Sequence, residues 1–100
     1  EEQGNLIPDI VKIDAEGFDM DVLHGSSHLF GKTEFFLVEV SINCQNMNND
    51  IITVINFMEK MGYRVFDITD INRPFSNNVL WLCEIVFIRK GGYFDKIKWI

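Results

Sequence analysis

Apolar and polar positions fall in blocks along this chain, and each change of pattern marks an element. Ile10-Val11-Lys12-Ile13 is a short β-branched run between Pro8-Asp9 and Asp14-Ala15-Glu16-Gly17, which predicts a first strand. From Phe18 the spacing changes to Phe18, Val22, Gly25 or Ser26, Leu29 and Phe30, with Asp19 and Asp21 turned elsewhere, so a helix is expected up to Gly31. Phe35 to Val40 is apolar on consecutive positions, as in a parallel strand covered on both faces, and should lie centrally. Ser41 to Asn49 is polar and Asn-rich, and Asn48 or Asn49 is the expected cap of a helix with the stripe Ile51, Val54, Ile55, Met58 and Met61, closed by Gly62. Tyr63 to Ile68 partly alternates, the pattern of a strand nearer an edge.

Thr69 to Asn78 contains Asn72-Arg73-Pro74 and Asn77-Asn78 and is expected to be a turn-rich connection. The long apolar run Leu80 to Arg89 follows with no crossover helix, so it should pair antiparallel with a neighbour. After Gly91-Gly92, the tail with Tyr93, Phe94, Ile97 and Trp99 carries too many aromatics to stay loose and is expected to pack back on the body. The order is strand, helix, strand, helix, strand, strand: an α/β fold with parallel pairing and right-handed crossovers. Both helices then fall on one side, which leaves the other face of Phe35 to Val40 without an obvious partner.

One hundred residues, 47% of them hydrophobic, suffice for one domain and not for two. Neither a run of about 18 apolar residues nor a basic, apolar leader is present, so the chain reads as soluble and cytoplasmic. A net charge of −6 repels phosphate backbones and anionic lipid, which argues against nucleic acid and membrane as partners. Cys44 and Cys83 belong to no CxxC pair and are read as reduced thiols. His24 and His28 have the spacing of zinc ligands on a helix, but no Glu of a metalloprotease motif accompanies them, and a surface pair near a helix end is the preferred reading. No metal is expected.

In open parallel sheets the ligand crevice lies outside the carboxyl ends of the strands. Two places qualify. Asp14 and Glu16 put two carboxylates after the first strand, where one could accept a proton; capping of the following helix competes with that role. Glu39, Ser41 and Asn43 close the second strand and could meet a substrate. A carboxylate inside an apolar strand needs a partner, and pairing with Lys12 is the structural reading of Glu39, favoured over function. Glu84 poses the same question, with Arg64 or solvent as its expected partner.

The stretch from Lys12 to Gly25, Lys-Ile-Asp-Ala-Glu-Gly-Phe-Asp-Met-Asp-Val-Leu-His-Gly, resembles the signature of FkbM-type methyltransferases, as does the Val38-Glu39 ending of the next strand. Ala15 stands for the usual Val and Asp19 for the usual Glu. The resemblance runs from about Ile7 to about Arg89 and implies a Rossmann-like class I methyltransferase sheet, of which this chain would supply strands four to seven, the last antiparallel. It also implies S-adenosylmethionine as cofactor, a small-molecule methyl acceptor, and Asp14 and Glu16 beside the transferred methyl group, with Gly17 at the cofactor. Asp14 is the preferred base. No Gly-rich loop after a first strand is present, so residues 1–100 are expected to be the carboxy-terminal half of a single domain. The cofactor-gripping half would be supplied by a missing amino-terminal part or by a second copy. Acceptors in mind are sugar-like or secondary-metabolite hydroxyls.

Two other readings compete. One is a non-catalytic α/β module that assembles through its open sheet edge. A phosphoacceptor receiver domain is the other, but it needs a Lys at a later strand end, and neither Ser41 nor Thr69 is one.

Overall fold

In the computed structural model, residues 6–14, 19–43 and 47–98 are described. Four strands, β1 (Ile10–Ile13), β2 (Phe35–Ser41), β3 (Tyr63–Asn72) and β4 (Leu82–Arg89), form one sheet in the order β1-β2-β4-β3. β1 and β2 are parallel, as two strands joined through a helix should be. β4 enters last in sequence yet lies between β2 and β3, antiparallel to both. Its eight residues are buried or half-buried throughout, which is why Leu82 to Arg89 is almost unbroken apolar sequence.

Two helices, α1 (Asp19–Gly25) and α2 (Ile51–Lys60), cover one face. Phe36, Val38 and Val40 of β2, with Cys83, Ile85 and Phe87 of β4, form the floor of a core closed by Met20, Leu23, Val54 and Met58. Phe30 packs edge-on against Tyr63 and Phe57 and tilted against Phe36, adding ring contacts to simple burial. The Tyr63 hydroxyl donates to Thr33 O at 2.6 Å and accepts from Gly31 N at 3.2 Å, and burial pushes its phenol pKa up. Gly31 and Gly62 both take positive φ, 88° and 92°, the left-handed geometry that lets each chain segment turn out of its helical stretch.

The face away from the helices is half covered rather than bare. Phe94, in a 3-10 turn (Phe94–Lys96) of the tail, packs on Phe35 with ring centroids 4.6 Å apart, and Ile88 is buried. Asp95 anchors the turn: the Gly91 amide first, and then Arg64, hold its carboxyl below the usual carboxylate range.

Four expectations need correction. The stripe of α1 is Met20 and Leu23, with Asp19 fully buried and Val22 half exposed, because the helix ends at Gly25 and a 3-10 turn (Ser27–Leu29) resets the rotation. Phe18 lies outside the described residues. The cap of α2 is Asp50, not Asn48 or Asn49: its carboxylate accepts from Thr53 N and Thr53 Oγ1. β3 runs on to Asn72 instead of stopping at Ile68, by way of two register shifts and a left-handed Asp70 (φ 54°) that absorb the polar residues. Arg64 pairs with Asp95, not with Glu84. No helix among the described residues is long and apolar enough to cross a membrane.

Candidate functional site

The carboxyl ends of β1, β2 and β3 converge at one edge of the sheet, together with the start of antiparallel β4. There the surface opens into a crevice with two lobes. The first, about 310 Å³, is lined by Lys12, Asp14, Glu39, Asp70 and Glu84 with Ile71, Asn72, Leu82 and Cys83. The second, about 470 Å³, shares Asp14, Glu39 and Leu82 with the first and adds Met47 and Trp81. Four carboxylates against one ammonium make the first lobe electronegative, and a concave site concentrates that field.

Pairing along the sheet explains how these side chains meet. Glu39 and Glu84 are register partners on β2 and β4, on the face away from the helices. Lys12 approaches Glu84 at 3.6 Å, and Thr69 Oγ1 donates to Glu84 Oε1 at 2.7 Å. Lys12 thus makes an ion pair with Glu84 and borders the same lobe as Glu39, its expected partner. Behind the crevice Asn49, fully buried, donates through Nδ2 to Glu39 O at 2.9 Å and to Asp19 Oδ1 at 3.3 Å, while its own carbonyl accepts from Ser41 N. One side-chain amide thus ties the start of α1 to the end of β2, which carries Glu39. Cys83 is buried, and burial raises its thiol pKa, so it enters the wall as an apolar group.

Asp14 is exposed and borders both lobes. Glu39 also borders both. Ser41 is buried, with its amide bonded to Asn49 O, and Asn43 donates through Nδ2 to Leu80 O at 2.8 Å, tying the end of β2 to the segment before β4. Glu16 and Gly17 lie outside the described residues. His24 packs edge-on against Phe57 of α2 at 4.7 Å, and His28 is exposed in the following 3-10 turn. Among the described residues no group of three His, Cys, Asp or Glu could hold a metal ion.

A family model described as the methyltransferase FkbM domain matches residues 1–65, from before β1 into the start of β3. This chain belongs to that family. No curated protein and no solved structure matches it.

The FkbM match takes in Lys12, Asp14, Glu39 and Met47, so the smaller part of the crevice lies in the shared portion and the larger part beyond it. Asp70, Ile71, Trp81 and Glu84 belong to the hairpin of β3 and β4, outside the matched residues. Sequence reasoning passed over Asp70 because it sat in a stretch taken for turns, and over Trp81 because nothing in a long apolar run says which residue will reach a strand mouth. Glu84 did carry a signal, a carboxylate in an apolar strand.

Proposed function

We propose that the crevice is the acceptor side of an S-adenosylmethionine-dependent methyltransferase site, and that it methylates a hydroxyl oxygen. Membership of the FkbM methyltransferase domain family points to methyl transfer. What supports the finer reading is one observation: Asp14, directly after a parallel strand, is exposed and borders both lobes of a crevice at the strands' carboxyl ends.

The side chains fit such a donor. Bound S-adenosylmethionine supplies a methyl group on a positively charged sulfur, and the carboxylates of Asp14, Glu39, Asp70 and Glu84 offer the complementary charge. Lys12 is held by Glu84, which keeps its ammonium from neutralising Asp14. Asp14 accepts the proton as the acceptor oxygen gains the methyl, and Glu39 beside it orients the hydroxyl. Fixing donor and acceptor in line is the larger part of the catalysis, and the Asn49 tie to Glu39 O and Asp19 holds the end of β2 against α1. Glu16 and Gly17 complete the cofactor side in this reading, with Ser41 and Asn43 shaping the acceptor side through the backbone they hold.

β1 has β2 as its neighbour in the sheet, and Ile10 is well exposed. An open parallel edge of this kind suits further strands bearing a Gly-rich cofactor loop, from the same polypeptide or from a second copy. The same edge favours the reading of a non-catalytic assembly module. Methyl transfer separates the two, since a purely associative module would assemble but transfer no methyl group.

The test is methyl transfer from labelled S-adenosylmethionine by the polypeptide carrying these residues, compared with Asp14→Asn and Glu16→Gln. Loss of a general base lowers the rate by about 10²-fold to 10⁴-fold. Full activity in both variants sinks the catalytic assignment.

A further inference from the structure

The two lobes share Asp14, Glu39 and Leu82 but differ in what each adds. The first adds Lys12, Asp70, Asn72 and Glu84 beside the apolar Ile71 and Cys83; the second adds Met47 and Trp81 and no further charge. Such a divide sorts ligands, because a polar group pressed against an apolar wall loses its water without replacement. We propose that the second lobe is the acceptor subsite and selects a hydroxyl carried on an apolar ring or chain over one carried on a polyol. This deepens the methyltransferase reading and rests on it.

The wall is built in advance. Trp81 O accepts from Ile42 N at 2.9 Å and from Asn43 N at 3.4 Å, and Trp81 N donates to Asn72 O at 2.9 Å, so the residue is pinned to the end of β2 and to the end of β3 at once. Its indole meets the ring of Phe75 edge-on at 6.0 Å. Phe75 and Val79 of the segment between β3 and β4 are both exposed. Arg73 Nη1, donating to Asn78 O, and Asn78 N, donating to Phe75 O, hold the connecting loop that displays them. Met47, Trp81 and Leu82, lining one lobe of an otherwise acidic crevice, mark a place where apolar surface is to be covered. An acceptor whose body covers Met47 and Trp81 brings its hydroxyl to Asp14 and Glu39, the acids at the junction of the lobes. Trp81 and Leu82 lie beyond the residues the family model matches and Met47 within them, so the hairpin supplies part of this selectivity.

The chain has two tryptophans, and Trp99→Phe leaves Trp81 as the reporter. That protein is titrated with tert-butylcyclohexanol and with methyl glucopyranoside, in the absence of any methyl donor, while its emission is followed. The cyclohexanol is expected to give a saturable change and the glucoside none over the same range. Met47→Ser should weaken the cyclohexanol about tenfold, the value of the apolar contact removed, and Met47→Leu should restore it. Tighter binding of the glucoside, or unchanged binding in Met47→Ser, overturns the proposal. Binding with the expected preference but no methyl transfer keeps the subsite and removes the enzymatic reading; methyl transfer to the glucoside without cyclohexanol binding does the reverse.

Discussion

Glu39 and Glu84 face each other across neighbouring strands, a like-charged pair at directly opposed positions in the middle of a sheet. Opposed like charges destabilise a sheet, so the arrangement persists because Lys12 and Thr69 attend Glu84. Lys12→Met is expected to lower stability by about 0.5–1 kcal/mol, a modest figure because the lysine side chain is 56% exposed and solvent screens it. The loss should shrink in about 1 M salt, where the screening length falls to about 3 Å. Denaturant titrations of both proteins at low and high salt check this, and a loss indifferent to salt would assign the lysine a packing role instead.

Asn49→Ala removes a fully buried amide that bonds Glu39 O and Asp19 Oδ1. Stranding buried polar partners costs about 1–3 kcal/mol, and each kcal/mol lowers the melting temperature of a domain this size by about 4–8 °C. A thermal melt followed by circular dichroism should show that drop. A melting temperature changed by less than about 2 °C would mean that the tie carries no strain between α1 and β2.

Asp50 caps α2, and the Thr53 hydroxyl and amide lower its pKa from the ordinary 3.8. A carboxyl whose folded pKa is depressed adds stability above its unfolded pKa, and that contribution disappears as pH falls through the folded value. Asp50→Ala should therefore cost about 1 kcal/mol at neutral pH. The gap to the parent protein should close in acid below the lowered value, while Asp50→Asn, which keeps an acceptor, stays close to the parent at neutral pH. Stability curves of the three proteins between neutral pH and strong acid read it directly.

Much of the sheet was legible because its residues answer to a single demand. β2 is apolar at consecutive positions because Phe36, Val38 and Val40 meet the helices while Phe35 and Leu37 are half covered on the other side. The antiparallel entry of β4 followed from the missing crossover helix. Residues serving two masters were harder to read. Asn49 had the composition of a cap, yet tertiary demand drew it into the interior and left the cap to its neighbour Asp50. Asp19 looked like a solvent-facing charge at a helix start, and it is buried because Asn49 bonds it. In β3 the polar residues from Asp67 to Asn72 imitate a turn, and only the register shifts against β4 reveal how a strand can hold them.

Within the site, the strand-end rule led to Asp14 and Glu39, because position after a parallel strand is a property of local sequence. The partners from the hairpin, Asp70, Trp81 and Glu84, are brought in by pairings that span more than 40 residues, such as Glu39 with Glu84. Local sequence holds no record of those pairings, although Glu84 betrays itself as a carboxylate in an apolar strand.

The placement of β4 also bears on how the polypeptide is made. Until residues 82–89 have left the ribosome, β2 and β3 each have a full row of amides and carbonyls with nothing opposite, and the crevice has no far wall. Of the four described strands, synthesis therefore delivers the one between β2 and β3 after the other three, which leaves their facing edges open to neighbours through that interval. A stop codon within residues 82–89 would cost this protein the pairing of both β2 and β3, and not merely the residues after it.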